Sequence, residues 1–321
     1  RQQKVKEALY LFLLQKREEN ELSQAFTAYN TRIVTPPHGS MLPTSPVRKN
    51  IFMVAFALGL FIPVVIIFMR ENMNTRVRGR KDLENVTAPF IGEIPLFVRR
   101  KKGIFGKKPQ EVKAVVVKEG SRDVINEAFR VLRTNLEFMT GKDNRSNVIL
   151  VTSFNPGSGK SFLTMNIAVS LAIKGKKVLV IDGDLRHGSA SAYVDSPIKG
   201  LSDYLGGRID NLNEIIVPDP KQKSMDILPV GTIPPNPTEL LFDERLKQAI
   251  DTVREQYDYV LIDCPPIELV ADTQIIEKLA DRTIFVIRAG LLERSMLVEL
   301  EKIYEEKKYK NMSLILNGTE G

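Results

Sequence analysis

The sequence predicts an α/β fold in which helices cover both faces of a mostly parallel β-sheet. Short apolar runs rich in Val and Ile alternate with amphipathic stretches over residues 148–316, and this alternation is typical of parallel sheets. A Gly-rich turn joins the first of these strands to a helix, and Asp residues follow two of the other strands. Before this region, one long uncharged apolar segment predicts a membrane-spanning helix.

The composition fits one sizeable globular domain with smaller segments attached. The 321 residues are 43% hydrophobic and 26% charged, with a formal net charge of +7. The excess positive charge lies in local clusters beside the apolar segment, which favours contact with anionic lipid over nucleic acid. Cys264 is the only cysteine, so an intrachain disulfide is excluded, and two histidines alone argue against a zinc site.

Residues 1–30 predict a long helix with one apolar stripe. The stripe consists of Val5, Ala8, Leu9, Phe12 and Leu13. A coiled-coil stalk and a plain amphipathic helix both fit this pattern, because the stretch is too short to establish heptads. Four prolines between Thr35 and Pro46 then break the helix and predict an extended connector.

Residues 50–70 predict a membrane-spanning helix. The nineteen residues from Ile51 to Met69 carry no charge, and at about 1.5 Å per residue they cover roughly 28 Å, close to the hydrocarbon thickness of a bilayer. A buried core helix is the alternative, and the basic residues at both ends disfavour it. More basic residues follow the span than precede it, so we expect residues 71–321 on the cytoplasmic side.

Residues 71–110 predict a juxtamembrane linker ahead of a globular domain at 111–321. The linker contains Pro89, Pro95 and the basic run Arg99–Lys102. Near acidic lipid head groups, each base of such a run contributes about 1 kcal/mol. A solvated loop is an equally good interpretation of the run.

The stretch Asp123–Met139 predicts an amphipathic helix with charged residues away from its apolar stripe. These charged residues are Glu127, Arg130 and Arg133. An exposed face with a Glu127/Arg130 pair, worth about 0.2–0.5 kcal/mol, is one interpretation. A contact between subunits, in which such charges fix the register, is the other.

A phosphate-binding loop is predicted between the strand Val148–Ser153 and the helix that follows it. The glycines allow the backbone to wrap an anion, Lys160 can reach the β and γ oxygens, and the Ser161 hydroxyl is placed to ligate Mg²⁺. Phe154 stands where the usual loop opens with Gly, so the strict pattern fails. A Gly-rich turn without function is the alternative. The nucleotide-binding candidates are Pro156, Gly157, Ser158, Gly159, Lys160, Ser161 and Phe162.

Acidic residues at the ends of two more strands predict the rest of the site. Asp182 and Asp184 end the strand at 177–184, and Asp263 ends the strand Tyr259–Asp263. Because ligands bind at the carboxyl ends of parallel strands, these acids should lie beside the phosphate loop. Each acid alone fits a solvated strand end, whereas all three with Gly-Lys-Ser indicate a Mg²⁺ site.

The remaining sequence continues the alternation of strands and helices. Further strands are predicted at 225–230, 283–287 and 313–316, and helices at 237–253, 272–279 and 294–307. This order predicts helices on both faces of the sheet.

Taken together, these segments resemble the bacterial tyrosine autokinases of the Wzc type over nearly the whole chain. VTSFNPGSGKS (151–161) is similar to their Walker A motif, VLVIDGDLR (178–186) to their second Walker motif and YDYVLIDCPP (257–266) to their Walker B motif. EAFRVLR (127–133) matches the Glu-x-x-Arg-x-x-Arg motif by which such kinases assemble into rings. The resemblance implies a P-loop NTPase-like fold.

The resemblance also implies roles for individual residues. Lys160 and Asp182 would be catalytic, with ATP and Mg²⁺ as cofactors and Asp182 acting near the tyrosine hydroxyl as base or orienter. Mg²⁺ would be held by Ser161, Asp184 and Asp263. The nucleotide base would lie near Arg288 and Asn317. The ring contact would be made by Glu127, Arg130 and Arg133.

The cellular setting follows from the same resemblance. Residues 1–49 would be the end of a periplasmic, helical chain-length-determinant region, and the chain would sit in the bacterial inner membrane. The activity would be phosphorylation of tyrosines on neighbouring subunits, which regulates the polymerisation and export of capsular or exopolysaccharide. The partners would be the other subunits, membrane lipid, the polysaccharide polymerase and export machinery, and a protein-tyrosine phosphatase, without nucleic acid.

Two other functions compete with this expectation. A MinD- or ParA-like partition ATPase would carry a second lysine at the position of Asn155 and normally lacks a span, so both features disfavour it. A non-enzymatic polysaccharide co-polymerase scaffold, which only binds nucleotide, would have the same residues and is left open.

Overall fold

A computed structural model describes residues 2–26, 39, 45, 47–72, 74–97, 115–140, 147–267 and 272–320. The chain divides into two compact units, residues 1–71 and residues 72–321. Most of the predicted connector at 35–46 and the whole basic run Arg99–Lys102 lie outside the described residues.

The first unit contains two long helices. Helix α1 spans Gln2–Phe26 and corresponds to the predicted amphipathic helix. Helix α2 spans Arg48–Asn72, and an 18-residue window within its residues 48–70 has a mean hydropathy of 2.9 and no buried residues. By length and composition, α2 is a candidate membrane span, in agreement with the predicted apolar segment.

The second unit is built on one sheet, with eight strands among the described residues. Seven strands run parallel, and only the short β4 pairs antiparallel with its neighbour. The order across the sheet is β1-β8-β7-β2-β6-β3-β5-β4. The strands are β1 Phe90–Pro95, β2 Asn147–Ser153, β3 Val178–Asp182, β4 Val217–Pro218, β5 Met225–Leu228, β6 Tyr259–Asp263, β7 Arg282–Arg288 and β8 Met312–Thr319.

Helices cover both faces of this sheet, as the sequence predicts. Phe129 and Leu163 pack with one apolar cluster, while Leu201, Ile250 and Ile276 pack with another. The predicted helix at 237–253 is two helices, because Asp243 is extended and caps the second helix through the Arg245 amide. The helices are α3 Val124–Thr140, α4 Lys160–Ile173, α5 Leu201–Leu205, α6 Pro237–Leu241, α7 Glu244–Gln256, α8 Asp272–Glu277 and α9 Met296–Glu305.

The structure differs from the predicted linker at 71–110. Residues 74–97 belong to the second unit, where β1 pairs in parallel with β8 and buries Ile91 and Ile94. Pro89 and Pro95 were part of the pattern that predicted a linker, but proline is compatible with the ends of an edge strand. The folded part therefore begins well before residue 111.

Candidate active site

The phosphate loop connects β2 to α4. Gly157 and Gly159 have φ values of 75° and 85°, in the left-handed region that favours glycine. A Cβ atom on Gly159 would lie 2.3 Å from Nδ2 of Asn317, so the close approach of β8 also requires glycine there. Helix α4 begins at Lys160, and its first amides have no intrahelical carbonyl to bind, which makes them available to an anion.

Polar side chains brace the loop from within and from the side. The hydroxyls of Ser153 and Ser158 both donate to the carbonyl of Asn155, at 2.8 and 2.7 Å. Asn317, on β8, donates its side-chain amide to the carbonyl of Ser158 at 2.8 Å. The loop is therefore held in shape by the protein itself.

Phe154, which replaces the usual opening glycine, points into the core. Its side chain is 3% exposed, and its ring packs edge-to-face on Phe285 with 4.9 Å between the ring centroids. The ring therefore fills apolar space under the loop and does not occupy the phosphate cradle. The failure of the strict sequence pattern has a packing explanation.

The structure brings the predicted acids together at the carboxyl edge of the sheet. Strands β3 and β6 are neighbours, and Asp182 lies opposite Asp263 in their register. The Gly183 amide donates to the carbonyl of Asp263 at 2.9 Å, which fixes the two strand ends against each other. Asp184 and Lys160 lie within electrostatic range of Asp263.

Burial dominates the electrostatics of this carboxylate pair. It raises the pKa of Asp182 to about 6, against two hydrogen bonds from Ser191 that lower it. It also raises the pKa of Asp263 to about 7, together with the charge of Asp182 and against a hydrogen bond from the Ser161 hydroxyl. Burial lowers the pKa of Lys160, while Asp263 and Asp184 oppose that shift. Burial therefore disfavours the charged forms of all three side chains, and the protonation of each carboxylate depends on that of the other.

Asp184 is held mainly by backbone. The amides of Arg186 and His187 each donate to its Oδ1 at 3.2 Å, and the His187 ring nitrogen Nδ1 lies 3.3 Å away. Asp184 is 8% exposed, whereas Asp182 and Asp263 are at most 1% exposed, so the carboxylate of Asp184 is the most accessible of the three.

A divalent cation fits this edge of the sheet. Oδ1 of Asp263 is buried and has no hydrogen-bond partner among the described residues, which is what a carboxylate oxygen reserved for a cation would show. The described part of the chain contains no preformed group of three His, Cys, Asp or Glu ligands. Mg²⁺ suits such an incomplete site, because it usually keeps waters and phosphate oxygens as ligands.

Arg288 and Asn317 flank the loop on the side of β7 and β8. Asn317 is 1% exposed, and its amide is engaged with the loop carbonyl described above. A Cβ atom on Gly318, whose φ is 77°, would lie 2.7 Å from Cζ of Arg288. A Cβ atom on Gly159 would lie 3.8 Å from Nη1 of Arg288, so both side chains lie near Gly159, and a contact with the nucleotide base stays a prediction.

The three charged residues predicted for the ring contact lie on α3, apart from these acids. Glu127 and Arg130 form an ion pair at 3.0 Å, with about half of each side chain exposed. Arg133 is less free, because its Nη1 donates to the carbonyl of Ser170 on α4 at 2.8 Å.

Sequence reasoning missed two groups of residues beside the acids. Ser191 binds the carboxylate of Asp182, nine residues away across a turn. The buried Asp272 accepts hydrogen bonds from Arg186 and Thr238, at 3.2 and 2.6 Å. Arg186 belongs to the second Walker motif, but no sequence spacing signals its partners, since 86 and 52 residues separate them from it.

Comparison with known proteins places the chain in a family. Residues 146–314 match the family model described as "AAA domain", and residues 1–72 match the one described as "G-rich domain on putative tyrosine kinase". The solved kinase domain of the Escherichia coli tyrosine kinase ETK is 31% identical, with a TM-score of 0.65, and the match covers 76% of this chain and 95% of that domain. The chain belongs to the Wzc-type bacterial tyrosine kinases.

Other Wzc-type kinases show the same relation. The solved BceF tyrosine kinase domain is 30% identical, with a TM-score of 0.63, over 76% of this chain and all of that one. Etk of Escherichia coli strain K12 is 31% identical over 97% of this chain and 44% of its own length. Wzc of Salmonella typhimurium strain LT2 is 32% identical over 87% of this chain and 39% of its own length. The chain thus spans about two-fifths of these curated relatives.

Membership of the Wzc-type family confirms three expectations. The fold is the nucleotide-binding P-loop type, with helices on both faces of a mostly parallel sheet. The apolar helix α2 and the match to the G-rich domain indicate association with a membrane. A partition ATPase is not favoured, because residues 1–72 match that G-rich domain and nearly the whole chain aligns with proteins named as tyrosine kinases.

Proposed function

We propose that this chain is an ATP-dependent protein-tyrosine autokinase that phosphorylates tyrosines of neighbouring subunits. The observation that carries the proposal is the meeting of Asp182 and Asp263 across β3 and β6, directly beside the loop that ends in Lys160 and Ser161. Buried, paired acids with strongly raised pKa values are typical of catalytic sites, which supports a kinase over a scaffold that only binds nucleotide.

The residues divide the work of phosphoryl transfer. The loop amides and Lys160 hold the phosphates and stabilise the charge that develops on them. Asp182 takes the proton of the acceptor hydroxyl as its oxygen attacks the γ phosphorus. Ser161, Asp184 and Asp263 would hold Mg²⁺, which would supply positive charge to neutralise the phosphates.

Replacement of the loop lysine tests the kinase assignment. Lys160→Met should abolish tyrosine phosphorylation, because the ammonium that balances charge on the phosphates is lost. The measurement is transfer of ³²P from γ-labelled ATP in the solubilised chain, with a phosphotyrosine blot alongside.

Lys174→Met is the matched control. Lys174 follows α4 on the surface, and its ion pair with Glu137 contributes at most about 1 kcal/mol. This variant should label like the parent chain. Labelling retained in Lys160→Met would contradict the role assigned to this lysine, whereas labelling absent from the parent chain would favour the scaffold over the kinase.

The setting proposed for this activity is the bacterial inner membrane, with residues 71–321 cytoplasmic and residues 1–49 periplasmic. The apolar α2, the basic residues that follow it and the match to the G-rich domain support this orientation. The role would be control of capsular or exopolysaccharide polymerisation and export, with that machinery and a phosphatase as partners.

A ring of subunits through Glu127, Arg130 and Arg133 belongs to the same proposal. The first two side chains are half exposed on α3, and the same helix leaves Val124, Val131 and Phe138 exposed at seven-residue intervals. An apolar stripe next to paired charges is typical of a surface that another subunit covers. The bond from Arg133 to Ser170 indicates that Arg133 acts partly from within its own subunit.

Charge reversal on α3 tests this contact. Glu127→Arg with Arg130→Glu should keep the ion pair within the helix but invert the charges presented to a neighbour, so assembly should weaken. The mass of the complex in nanodiscs, measured by light scattering, should fall towards that of single chains. Arg122→Glu, on an exposed position ahead of α3, is the control, and an unchanged mass in the double variant would contradict the contact.

A further inference from the structure

Ser191 grips one oxygen of Asp182 with two hydrogen bonds. Its backbone amide and its hydroxyl both donate to Oδ2, each at 2.6 Å. Ser191 opens a short 3₁₀-helix, Ser191–Val194, and is 3% exposed, so water does not compete for these bonds. Charge-assisted hydrogen bonds of this length are among the stronger ones in proteins.

A third bond fixes the direction of the hydroxyl proton. The amide of Val230, just after β5, donates to Oγ of Ser191 at 2.8 Å. A serine hydroxyl has a single proton, and an amide can only donate. The proton of Ser191 therefore points to Asp182, and Oδ2 is kept as the acceptor of two donors.

The two oxygens of Asp182 are consequently not equivalent. Among the described residues, Oδ1 accepts from the amide of Asp184 at 3.3 Å, a longer and weaker bond than either bond to Oδ2. Protonation of Oδ2 is disfavoured, because this oxygen already accepts hydrogen bonds from the amide and the hydroxyl of Ser191. Oδ1 is the oxygen that remains able to take up a proton.

We propose that Ser191 is a positioning residue that orients Asp182 so that Oδ1 receives the proton of the acceptor tyrosine. The inference rests on the proposed kinase function. In the step, the tyrosine oxygen forms a bond to the γ phosphorus, the bond from that phosphorus to the bridging oxygen breaks, ADP leaves with the electron pair, and the phenolic proton ends on Oδ1 of Asp182.

A purely structural role would give different kinetics. Ser191 also ties the end of β3 to the end of β5 through Val230, so its loss could disturb nucleotide binding in general. A positioning residue for the base changes the rate of the chemical step and leaves the affinity for nucleotide alone. The ratio of these two effects separates the roles.

The experiment compares Ser191→Ala and Ser191→Cys with the parent chain in nanodiscs. Phosphate transfer to a synthetic Glu/Tyr copolymer gives kcat and KM, and calorimetry gives the affinity for Mg·ATP. Ser191→Ala should lower kcat by about 10- to 100-fold, which is less than the roughly 10²–10⁴-fold that general-base catalysis contributes because Asp182 itself remains, with Mg·ATP affinity changed by less than about twofold. Ser191→Cys keeps a weak S–H donor of similar size, so its kcat should lie between that of Ser191→Ala and that of the parent chain.

Ser202→Ala is the matched control. Ser202 is equally buried on the neighbouring helix α5, but its hydroxyl donates to the carbonyl of Thr232. This variant should keep kcat.

Three results would overturn the inference: parental kcat in both Ser191 variants, a loss of Mg·ATP affinity that matches the loss of rate, or an equal loss of rate in Ser202→Ala. If the parent chain itself transferred no phosphate, the proposed kinase function would fail instead. The two failures are therefore distinguishable.

Discussion

At position 154, an aromatic ring stands where phosphate loops usually have glycine. The structure explains this by the direction of the side chain, which packs on Phe285 below the loop. Glycine at this position in other loops serves a tight turn, and here the turn is made by Gly157 and Gly159 with positive φ. Phe154 thus fixes the start of the loop to the apolar core, while the backbone around Gly157 and Gly159 keeps the shape that can bind phosphate.

Shortening this anchor should cost stability more than nucleotide binding. Phe154→Ala should reduce the free energy of unfolding by about 3–5 kcal/mol, the usual cost of removing a buried aromatic ring. For a unit of this size, the melting temperature should fall by roughly 6–20 °C. Melting of the solubilised chain, followed by circular dichroism, measures the effect.

Phe154→Leu is the control for that loss, because leucine keeps part of the apolar volume and should cost about half as much. At temperatures where both variants are folded, Mg·ATP affinity should stay near that of the parent chain. A variant that melted normally but lost Mg·ATP binding would place the ring in the nucleotide site and contradict the packing explanation.

At this scale, the sequence identifies groups whose chemistry is local and misses those whose partners are remote. Lys160 was predicted because it closes the Gly-rich turn after a buried strand, and Asp182 and Asp263 were predicted because each ends a buried strand. Ser191 was missed because its bond to Asp182 depends on how one turn folds back, which no spacing rule describes.

Among the elements, β1 has the most unexpected partner. It pairs with β8, so Ile94 lies opposite Asn317, the residue that holds the carbonyl of Ser158 in the phosphate loop. The segment that follows α2 in the chain is therefore two contacts away from the nucleotide site. Its packing should influence the loop.

Trimming the buried side chain of β1 tests that influence. Ile94 is fully buried, and Ile94→Ala should lower the free energy of unfolding by about 2–5 kcal/mol. Because β1 supports β8, Mg·ATP affinity should fall as well, which calorimetry measures. Glu93→Ala, the exposed neighbour in the same strand, should change neither quantity.

Loss of stability without any change in Mg·ATP affinity would show that β1 supports the sheet but not the loop. The sequence did not predict this strand, because FIGEIP is short, lies between prolines and contains glycine. It becomes a strand only through its pairing with residues more than two hundred positions away. The central strands were predicted, since continuous Val and Ile runs do not depend on a particular neighbour.

For the whole molecule, the buried carboxylate pair predicts how stability depends on pH. The pKa values of Asp182 and Asp263 are raised to about 6 and about 7, from an ordinary value of 3.8. Between pH 3.8 and about pH 7, the folded chain holds protons on these carboxylates that the unfolded chain has released, so stability falls as the pH rises through this window. For Asp182 alone, the shift corresponds to about 3 kcal/mol.

Melting temperatures of the nucleotide-free, metal-free chain between pH 5 and pH 8 test this expectation. The contribution of the pair should lower the melting temperature towards pH 8. Asp182→Asn removes one member of the pair and should flatten the profile, because the charge of Asp182 is also one cause of the raised pKa of Asp263. An identical profile in both chains would show that the pair does not titrate in this range.

The sequence predicts the whole-molecule plan well because it depends on repeated, local signals. Alternating strands and helices, a Gly-Lys-Ser turn and an uncharged apolar segment each predict one part of that plan. The boundary between the membrane segment and the folded unit was placed too late, since prolines and basic residues in 71–110 resemble a linker.

Strand β1 also decides where this polypeptide can be cut. A recombinant piece starting at residue 111 would leave one side of β8 without its neighbour, and bare strand edges recruit other molecules. The shorter piece should aggregate in solution, whereas a piece starting at residue 72 keeps β1 and so keeps the edge of β8 covered. Low solubility of the shorter piece would then reflect the choice of starting residue and not an inherent dependence on lipid.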